Sequence, residues 1–565
     1  MYRKYLTRTE FDSYEDFMEN YRVDIPANFN FAFDVVDEIA AKTPDKIAMV
    51  WCDDRGGSAR FTFADLKRFS DKTANFFKSL GIKKGDPVML ILKRRYEFWF
   101  CLLALHKIGA VCIPATHLVT AKDIEYRNRS AAIRMIICIA EQDLVSYVEE
   151  SQKNSPSLEL KVLVGGKKAG WYDFDEELSS ADDQFVRPTG AGATNNNDPM
   201  LLYFTSGTTG LPKMVQHNFT YPLGHIVTAK YWHNLQDSDL HLTISDTGWA
   251  KTAWGKIYGQ WLCGAAVFVY DYDQFSPRKL LNVISQYGVT SFCAPPTIYR
   301  YLIKDLKRYD LSKLKHSSVA GEPLNPEIFK RFYEATGLKL REAYGQTEMT
   351  VTIGNFLWME PKPGSMGKPA PGYDIDLIDE NGEPCEVRQT GRIIVRTGKQ
   401  KPVGIFDKYY QDEILTKKVW HDDIYFAGDM AWRDEDGYYW FVSRSDDIIK
   451  SAGYRIGPFE VESALLEHPA VLECAVTPVP DPERGQVVKA TIVLAKGYQP
   501  SEDLKKELLE HTKKVTAAYK CPRIIEFVTS LPKTISGKIR RIEIRESELS
   551  RVDSKKAPVP LQKNP

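Results

Sequence analysis

Between residues 31 and 344, short apolar runs at 88–92, 135–139, 161–164, 200–204, 265–270 and 289–293 alternate with longer amphipathic stretches. Apolar runs this short predict strands buried on both faces, and the amphipathic stretches between them predict parallel sheets covered by helices. The region up to about residue 364 is therefore expected to be α/β and built from more than one subdomain. The stretch RPTGAGATNNNDP at 187–199 is rich in small and turn-forming residues and predicts a surface connection between subdomains.

After Pro361 the pattern changes. Turn pairs at Asn381-Gly382 and Asp436-Gly437 predict hairpins and a small, barrel-like β-rich subdomain at about 365–445, which completes an N-terminal domain of 1–445. Beyond Arg444 the chain restarts as an α+β unit. It has a helix near 458–467, strands near 472–477 and 488–494 and a basic helix near 502–514, expected together to form a mobile C-terminal cap at 446–550. The last stretch, 551–565, has too few apolar residues to pack and is expected to be a mobile tail.

A chain of 565 residues is too long for one core and suggests about three or four folding units. Its 75 basic and 75 acidic residues cancel, which removes any global field for gathering nucleic acid or anionic lipid. Nine cysteines with no Cys-x-x-Cys pair indicate neither a disulfide framework nor structural zinc. The start, MYRKYLTRTEFDSYEDF, lacks an apolar signal core and is too acidic for an organellar presequence. The most apolar helical run, 98–105, ends at His106 and Lys107, far short of a bilayer span. A cytoplasmic protein without membrane spans is expected.

The chemistry concentrates in TSGTTGLPK at 205–213. Thr205, Ser206, Thr208 and Thr209 supply hydroxyls, Gly207 and Gly210 let backbone N–H groups approach a ligand, and Lys213 adds a positive charge, a composition suited to a polyphosphate. The glycine spacing is not that of a Walker A loop, so an ordinary P-loop NTPase is disfavoured. A surface linker has the same composition.

Further segments join this loop: SVAGEPL at 318–324, EAYGQTE at 342–348, FAGDMA at 426–431, SRSDDIIKSAGYRIGPFEVE at 443–462 and PKTISGKIRR at 532–541. In this order they resemble the adenylate-forming superfamily of acyl-CoA synthetases, luciferases and peptide-synthetase adenylation domains. Through GEPL, YGQTE, SDTGW, AGYR and DPERG the chain is most similar to the medium-chain acyl-CoA synthetases. That resemblance implies an AMP-forming acid–thiol ligase, which activates a carboxylic acid with ATP to acyl-AMP and pyrophosphate and then passes the acyl group to coenzyme A. Magnesium is implied as cofactor, and a monomer or homodimer as assembly.

The resemblance also implies roles. The 205–213 loop would hold the β,γ-phosphates. Gly321, Glu322 and Pro323 would flank the adenine, while Glu342, Ala343, Tyr344, Gly345, Gln346 and Thr347 would complete the nucleotide wall. Thr347 and Glu348 belong to the catalytic group, with Glu348 the Mg²⁺ ligand. Asp429 would accept from the ribose hydroxyls, Arg444 would reach the ribose or phosphate side, Arg455 would contact phosphate, and Lys538 would neutralise charge between carboxylate and α-phosphate. Asp446 would be the hinge about which the cap rotates between half-reactions. For coenzyme A the matching positions are Ala452, Gly453, Tyr454, Arg484, Lys513, Cys521 and Arg523. Cys521 stands where some relatives carry an aromatic residue, and it cannot stack on an adenine.

The acyl pocket is expected to be walled by Trp249, Lys251, Trp254, Cys293, Tyr344 and Gly345. Gly345 takes the place of a tryptophan that closes the pocket in acetyl-specific relatives, so an open floor and acids longer than acetate, straight or branched, are expected. Lys251 either snorkels to solvent, shortens the pocket or meets a polar acyl group. Cys293 fits a small buried hydrophobe better than a nucleophile, because coenzyme A supplies the thiol. His217 and His225 either line the acyl channel or bond to helix backbone. Competing functions are an aryl-CoA ligase, an adenylate-forming enzyme with another acceptor, and a non-enzymatic ligand-binding relative.

Overall fold

A computed structural model describes residues 1–205, 212–533 and 539–556. It separates into two compact units, Met1–Ile375 with Val395–Tyr425, and Asp376–Ile394 with Phe426–Pro565.

The first unit is built on two sheets. Among the described residues one has eight strands, in the order Lys408–Tyr409, Lys213–Asn218, Pro199–Thr205, Val111–Pro114, Pro87–Ile91, Met135–Ile139, Leu160–Val164 and Tyr172–Asp173. The other has nine, in the order Lys368–Pro369, Ile353–Gly354, Leu340–Tyr344, His316–Ala320, Ser291–Ala294, Leu240–Thr243, Ala266–Asp271, Ile47–Asp53 and Ser58–Thr62. The central pairings of both are parallel. Met135–Ile139, one of the predicted apolar runs, is buried at every position, and so is the unpredicted Val111–Pro114.

The expected apolar helix is Glu97–Ile108, and all of it is buried up to a left-handed Gly109. His106 and Lys107 are part of this interior. His106 Nε2 lies 2.9 Å from Tyr258 Oη, and Lys107 Nζ pairs with Asp37 and Asp71 at 2.8 and 2.6 Å. Buried polar groups persist because they are paired. No helix among the described residues is long and apolar enough to cross a membrane.

The second unit begins with strands that include Tyr439–Arg444, antiparallel to Ile424–Arg433, with Trp432 stacked on Trp440 at 5.1 Å. Its turn closes where expected, with Gly437 at φ +82°. The long hairpin Val471–Asp481 and Gly485–Leu494, flanked by Ile524–Val528, forms the C-terminal sheet. Val461 and Leu465 of the helix Pro458–Leu466, and Leu504 and Leu508 of Glu502–Val515, pack into the same core as Val476 and Ile492. The helix Arg541–Lys556 continues into the stretch expected to be a tail.

Candidate functional site

The first-unit motifs sit just beyond the carboxyl ends of parallel strands, where open α/β sheets bind ligands. Pro199–Thr205 leads into the phosphate-type loop, His316–Ala320 into Gly321, Leu340–Tyr344 into Gly345, and Leu240–Thr243 into the SDTGW turn. Thr205 and Lys213 are register partners, so the loop leaves and re-enters through one antiparallel pair. Ser206, Gly207, Thr208, Thr209 and Gly210 lie outside the described residues, as does Lys538.

Tyr409, a residue missed by the sequence reading, joins two expected ones. Lys213 Nζ stands 5.2 Å from its ring centre, and its hydroxyl donates to Glu348 Oε1 at 2.7 Å. It lies in a two-residue strand, Lys408–Tyr409, too short for any periodicity to signal. Three more bonds shape the QTE turn. Tyr425 Oη donates to Gln346 Oε1 at 2.9 Å, Phe406 N to the Glu348 carbonyl at 2.7 Å, and His217 Nε2 meets the Thr347 carbonyl at 2.8 Å.

His217 is thus a buried strand residue, held neutral with its pKa pressed down to about 3 by burial. His225 is fully buried in Tyr221–Ile226, and burial likewise drives its pKa well below the usual histidine value. Neither is an acid or base at neutral pH. Glu348 is only half-buried, with one oxygen held by Tyr409. Among the described residues no group of three or more His, Cys, Asp or Glu side chains is placed to hold a metal.

Glu322 Oε2 accepts from Thr297 Oγ1 at 2.8 Å, and Gly321 takes φ +108°, a conformation reserved for glycine. Glu342 is buried beneath this turn and accepts from Leu324 N at 3.2 Å, while its other oxygen has no partner among the described residues. Burial raises its pKa well above the carboxylate range. The folded state therefore favours the proton, and the stability linked to it is fully present below the unfolded pKa and is lost as pH rises above it. Glu342→Gln is expected to melt higher than the parent at pH 8, with the difference shrinking toward pH 4. Parallel melting curves across pH check this.

The acyl-pocket expectation needs one correction. A Cβ on Gly345 would stand 2.4 Å from Trp254 Cη2 and 2.4 Å from the Thr350 carbonyl. The space that glycine frees is filled by the Trp254 indole, so the floor is not open there. Lys251 does not extend to solvent. Its Nζ donates to the Ala320 carbonyl at 2.8 Å, beside Gly321. Cys293 is buried in Ser291–Ala294, while Trp249 and Tyr344 are partly exposed.

In the second unit Asp429 and Arg444 are register partners, with Arg444 Nε 3.5 Å from Asp429 Oδ1 and 3.7 Å from Asp446 Oδ1. This brings the ribose, phosphate and hinge candidates into one cluster. Ala452 and Gly453 both have positive φ, and Ala452 N donates to the Arg484 carbonyl at 2.9 Å. Arg455 pairs with Glu380. Tyr454 stacks on Tyr519 at 4.3 Å, Lys513 pairs with Glu510 at 2.7 Å, Arg484 and Arg523 are exposed, and Cys521 is buried.

The AMP-binding enzyme profile matches residues 36–410, and the AMP-binding enzyme C-terminal domain profile matches 460–538. The chain is 42% identical over 561 residues to the Mus musculus protein named acyl-coenzyme A synthetase ACSM3, mitochondrial, covering 97% of this chain and 96% of that one. It is 43% identical over 536 residues to the Homo sapiens acyl-coenzyme A synthetase ACSM4, mitochondrial, covering 93% and 91%. Among solved structures, the anthranilate CoA ligase AuaEII with anthranoyl-AMP matches at TM-score 0.86 and 29% identity, over 94% of this chain and 99% of that one. The Brucella canis acyl-CoA synthetase matches at 0.72 and 29%, over 96% and 100%.

The mitochondrial relatives overturn the cytoplasmic expectation. The acidic N-terminal segment that suggested it is folded into the first unit. Phe17 is fully buried, with its ring 4.7 Å from that of Tyr231, so the composition there reflects packing.

Proposed function

This chain belongs to the AMP-binding enzymes and is an acyl-coenzyme A synthetase, and from that premise we propose that it activates a short- or medium-chain carboxylic acid, straight or branched. ATP and the acid form acyl-AMP and pyrophosphate, and the acyl group then passes to coenzyme A. The observation that carries the site assignment is the Lys213–Tyr409–Glu348 chain at the strand ends.

Adenylation joins two anions, so the protein's task is to position them and offset their charge. Thr205 and Lys213 would grip the β,γ-phosphates, with Ser206, Gly207, Thr208, Thr209 and Gly210 between them. Tyr409 would hold Lys213 and Glu348 in register. Glu348 would hold magnesium through the oxygen that Tyr409 leaves open. A single carboxylate suits Mg²⁺, an ion held mainly by substrate phosphates and water, and when bound it would supply charge neutralisation there. The turn at Gly321, Glu322 and Pro323 would flank adenine, with Glu342, Ala343, Tyr344, Gly345, Gln346 and Thr347 forming the wall beside it. Asp429 would accept from the ribose hydroxyls, and Arg444 would reach the ribose or phosphate side. Asp446 would be the hinge, and Ala452, Gly453, Tyr454, Arg484, Lys513, Cys521 and Arg523 the coenzyme A side.

A pyrophosphate-exchange assay over acids from acetate to decanoate, with aryl acids included, tests this reading. Exchange with an aliphatic acid, and thioester once coenzyme A is added, is expected. Exchange with aryl acids alone would make the enzyme an aryl-CoA ligase. Exchange without thioester would point to another acceptor.

A further inference from the structure

Two turns of the first unit touch at the carboxyl ends of strands from different sheets. One follows Val111–Pro114 and carries Thr116 and His117. The other follows Leu240–Thr243 and carries Asp246, Gly248 and Trp249. A Cβ on Gly248 would stand 2.1 Å from Thr116 N, so only glycine allows this approach. Asp246 Oδ1 accepts from Gly248 N at 2.9 Å, and its carbonyl accepts from Thr252 Oγ1 at 2.7 Å. The carboxylate is thereby fixed, and its second oxygen faces His117 Nδ1 at 3.2 Å and Arg94 Nη1 at 3.5 Å.

A carboxylate accepts only, so Nδ1 carries the proton and Nε2 becomes the basic nitrogen. Among the described residues Nε2 has no hydrogen-bond partner, and the His117 side chain keeps 17% of its surface exposed. This is the base-and-orienter half of a catalytic triad, with Asp246 three residues from Trp249, and among the described residues no nucleophile is bonded to Nε2.

The first half-reaction has no use for a base, because its nucleophile is already a carboxylate at neutral pH. The second half does. A thiol with pKa near ~8.5 is only a few per cent thiolate at pH 7. We propose that His117, oriented by Asp246, is the base that takes the proton of the coenzyme A thiol, an assignment that rests on the acyl-CoA synthetase reading above. The S–H bond breaks and its proton goes to Nε2. Sulfur's electron pair forms the C–S bond at the acyl carbon, the bond from that carbon to the AMP phosphate oxygen breaks, and AMP leaves with that pair. The imidazolium then returns its proton to water.

The charges around the dyad are Asp246 from its own turn, Arg94 from the turn after Pro87–Ile91, Asp271 3.6 Å from Arg94 Nε, and Lys256, whose Nζ donates to the Ser245 carbonyl at 2.9 Å. Lys256 is fully buried, with a pKa brought down to about 7, so Arg94 is the lasting cation facing Asp246.

The test uses the full chain in two single-turnover measurements, pyrophosphate exchange with acid and ATP, and thioester formation from preformed acyl-AMP mixed with coenzyme A. His117→Gln is expected to slow thioester formation by about 10²-fold or more while exchange persists. The pH profile of wild-type transfer is expected to differ from that of the variant, whose rate should keep climbing toward the thiol's own pKa. His117→Ala is expected to recover transfer in added imidazole. A pair that only staples the two turns predicts equal loss of both half-reactions, an unchanged pH profile and no imidazole rescue, and any of these overturns the proposal. Wild-type exchange without any thioester would instead sink the synthetase reading itself. Intact exchange in the same preparation confirms that a variant is folded.

Discussion

Lys538→Ala is expected to slow acyl-adenylate formation by at least about 10²-fold while transfer of a supplied acyl-AMP to coenzyme A survives. The size follows from what one preorganised charge contributes where two anions must meet, a few kcal/mol in a site that excludes water. Among the described residues of the first unit, Lys213 is held against Tyr409 on the phosphate-loop side, and Lys251 is engaged by the Ala320 carbonyl. Both amines are thus already engaged, and the prediction assigns the charge between carboxylate and α-phosphate to Lys538. Lys538 itself lies outside the described residues, and the described residues on either side are paired. Lys533 and Ile539 form an antiparallel bridge, and Arg540 N donates to the Pro532 carbonyl at 2.8 Å. Pyrophosphate exchange and single-turnover transfer, measured side by side, decide the role. Equal loss in both would make the lysine a general structural element and end the assignment.

Several strands buried on both faces by apolar residues were announced by the chain. Met135–Ile139 falls where it was expected, and Pro199–Thr205 within a residue. Ile47–Asp53 and Val111–Pro114 escaped although apolar, and strands with polar interiors escaped too. His316–Ala320 reads HSSVA and Leu340–Tyr344 reads LREAY, yet both lie centrally in the nine-stranded sheet. Several of their polar groups are paired across the core, as where His233 Nδ1 meets Ser318 Oγ at 2.8 Å and His316 Nε2 meets the Trp232 carbonyl at 2.7 Å. Such pairing is invisible to a hydrophobic pattern.

The same limit separates the visible from the hidden part of the site. Motif residues were legible because their order is distinctive. The residues that hold them, Tyr409 on Glu348 and Thr297 on Glu322, arrive from distant segments and carry no local signal. Gly345 shows the converse hazard. Its missing side chain suggested empty space, but close packing assigns such space to a neighbour, here Trp254.

That neighbour makes the second large effect predictable. Trp254 lies on the short helix Lys251–Gly255, is 6% exposed, and meets Trp232 edge-on at 6.3 Å. With its indole edge at the position a Gly345 side chain would take, Trp254 is the residue we expect to limit acyl length. Trp254→Ala is expected to move the preferred acid to longer chains. Each methylene that enters the vacated space gains about 0.8 kcal/mol, roughly a fourfold gain in kcat/KM, so four additional methylenes shift the preference by about 10²-fold. Short acids are expected to lose rate in the variant, because an empty apolar cavity holds them loosely and misplaces the carboxylate. Trp254→Leu should fall between the two and guards against simple loss of folding, since it keeps much of the packing against Trp232. The measurement is kcat/KM along a series from propionate to decanoate for all three proteins. If the optimum chain length stays the same in all of them, Trp254 is a wall of the core and not of the pocket, and the limit on the acyl chain must be sought at Trp249, Tyr344 or Cys293 instead.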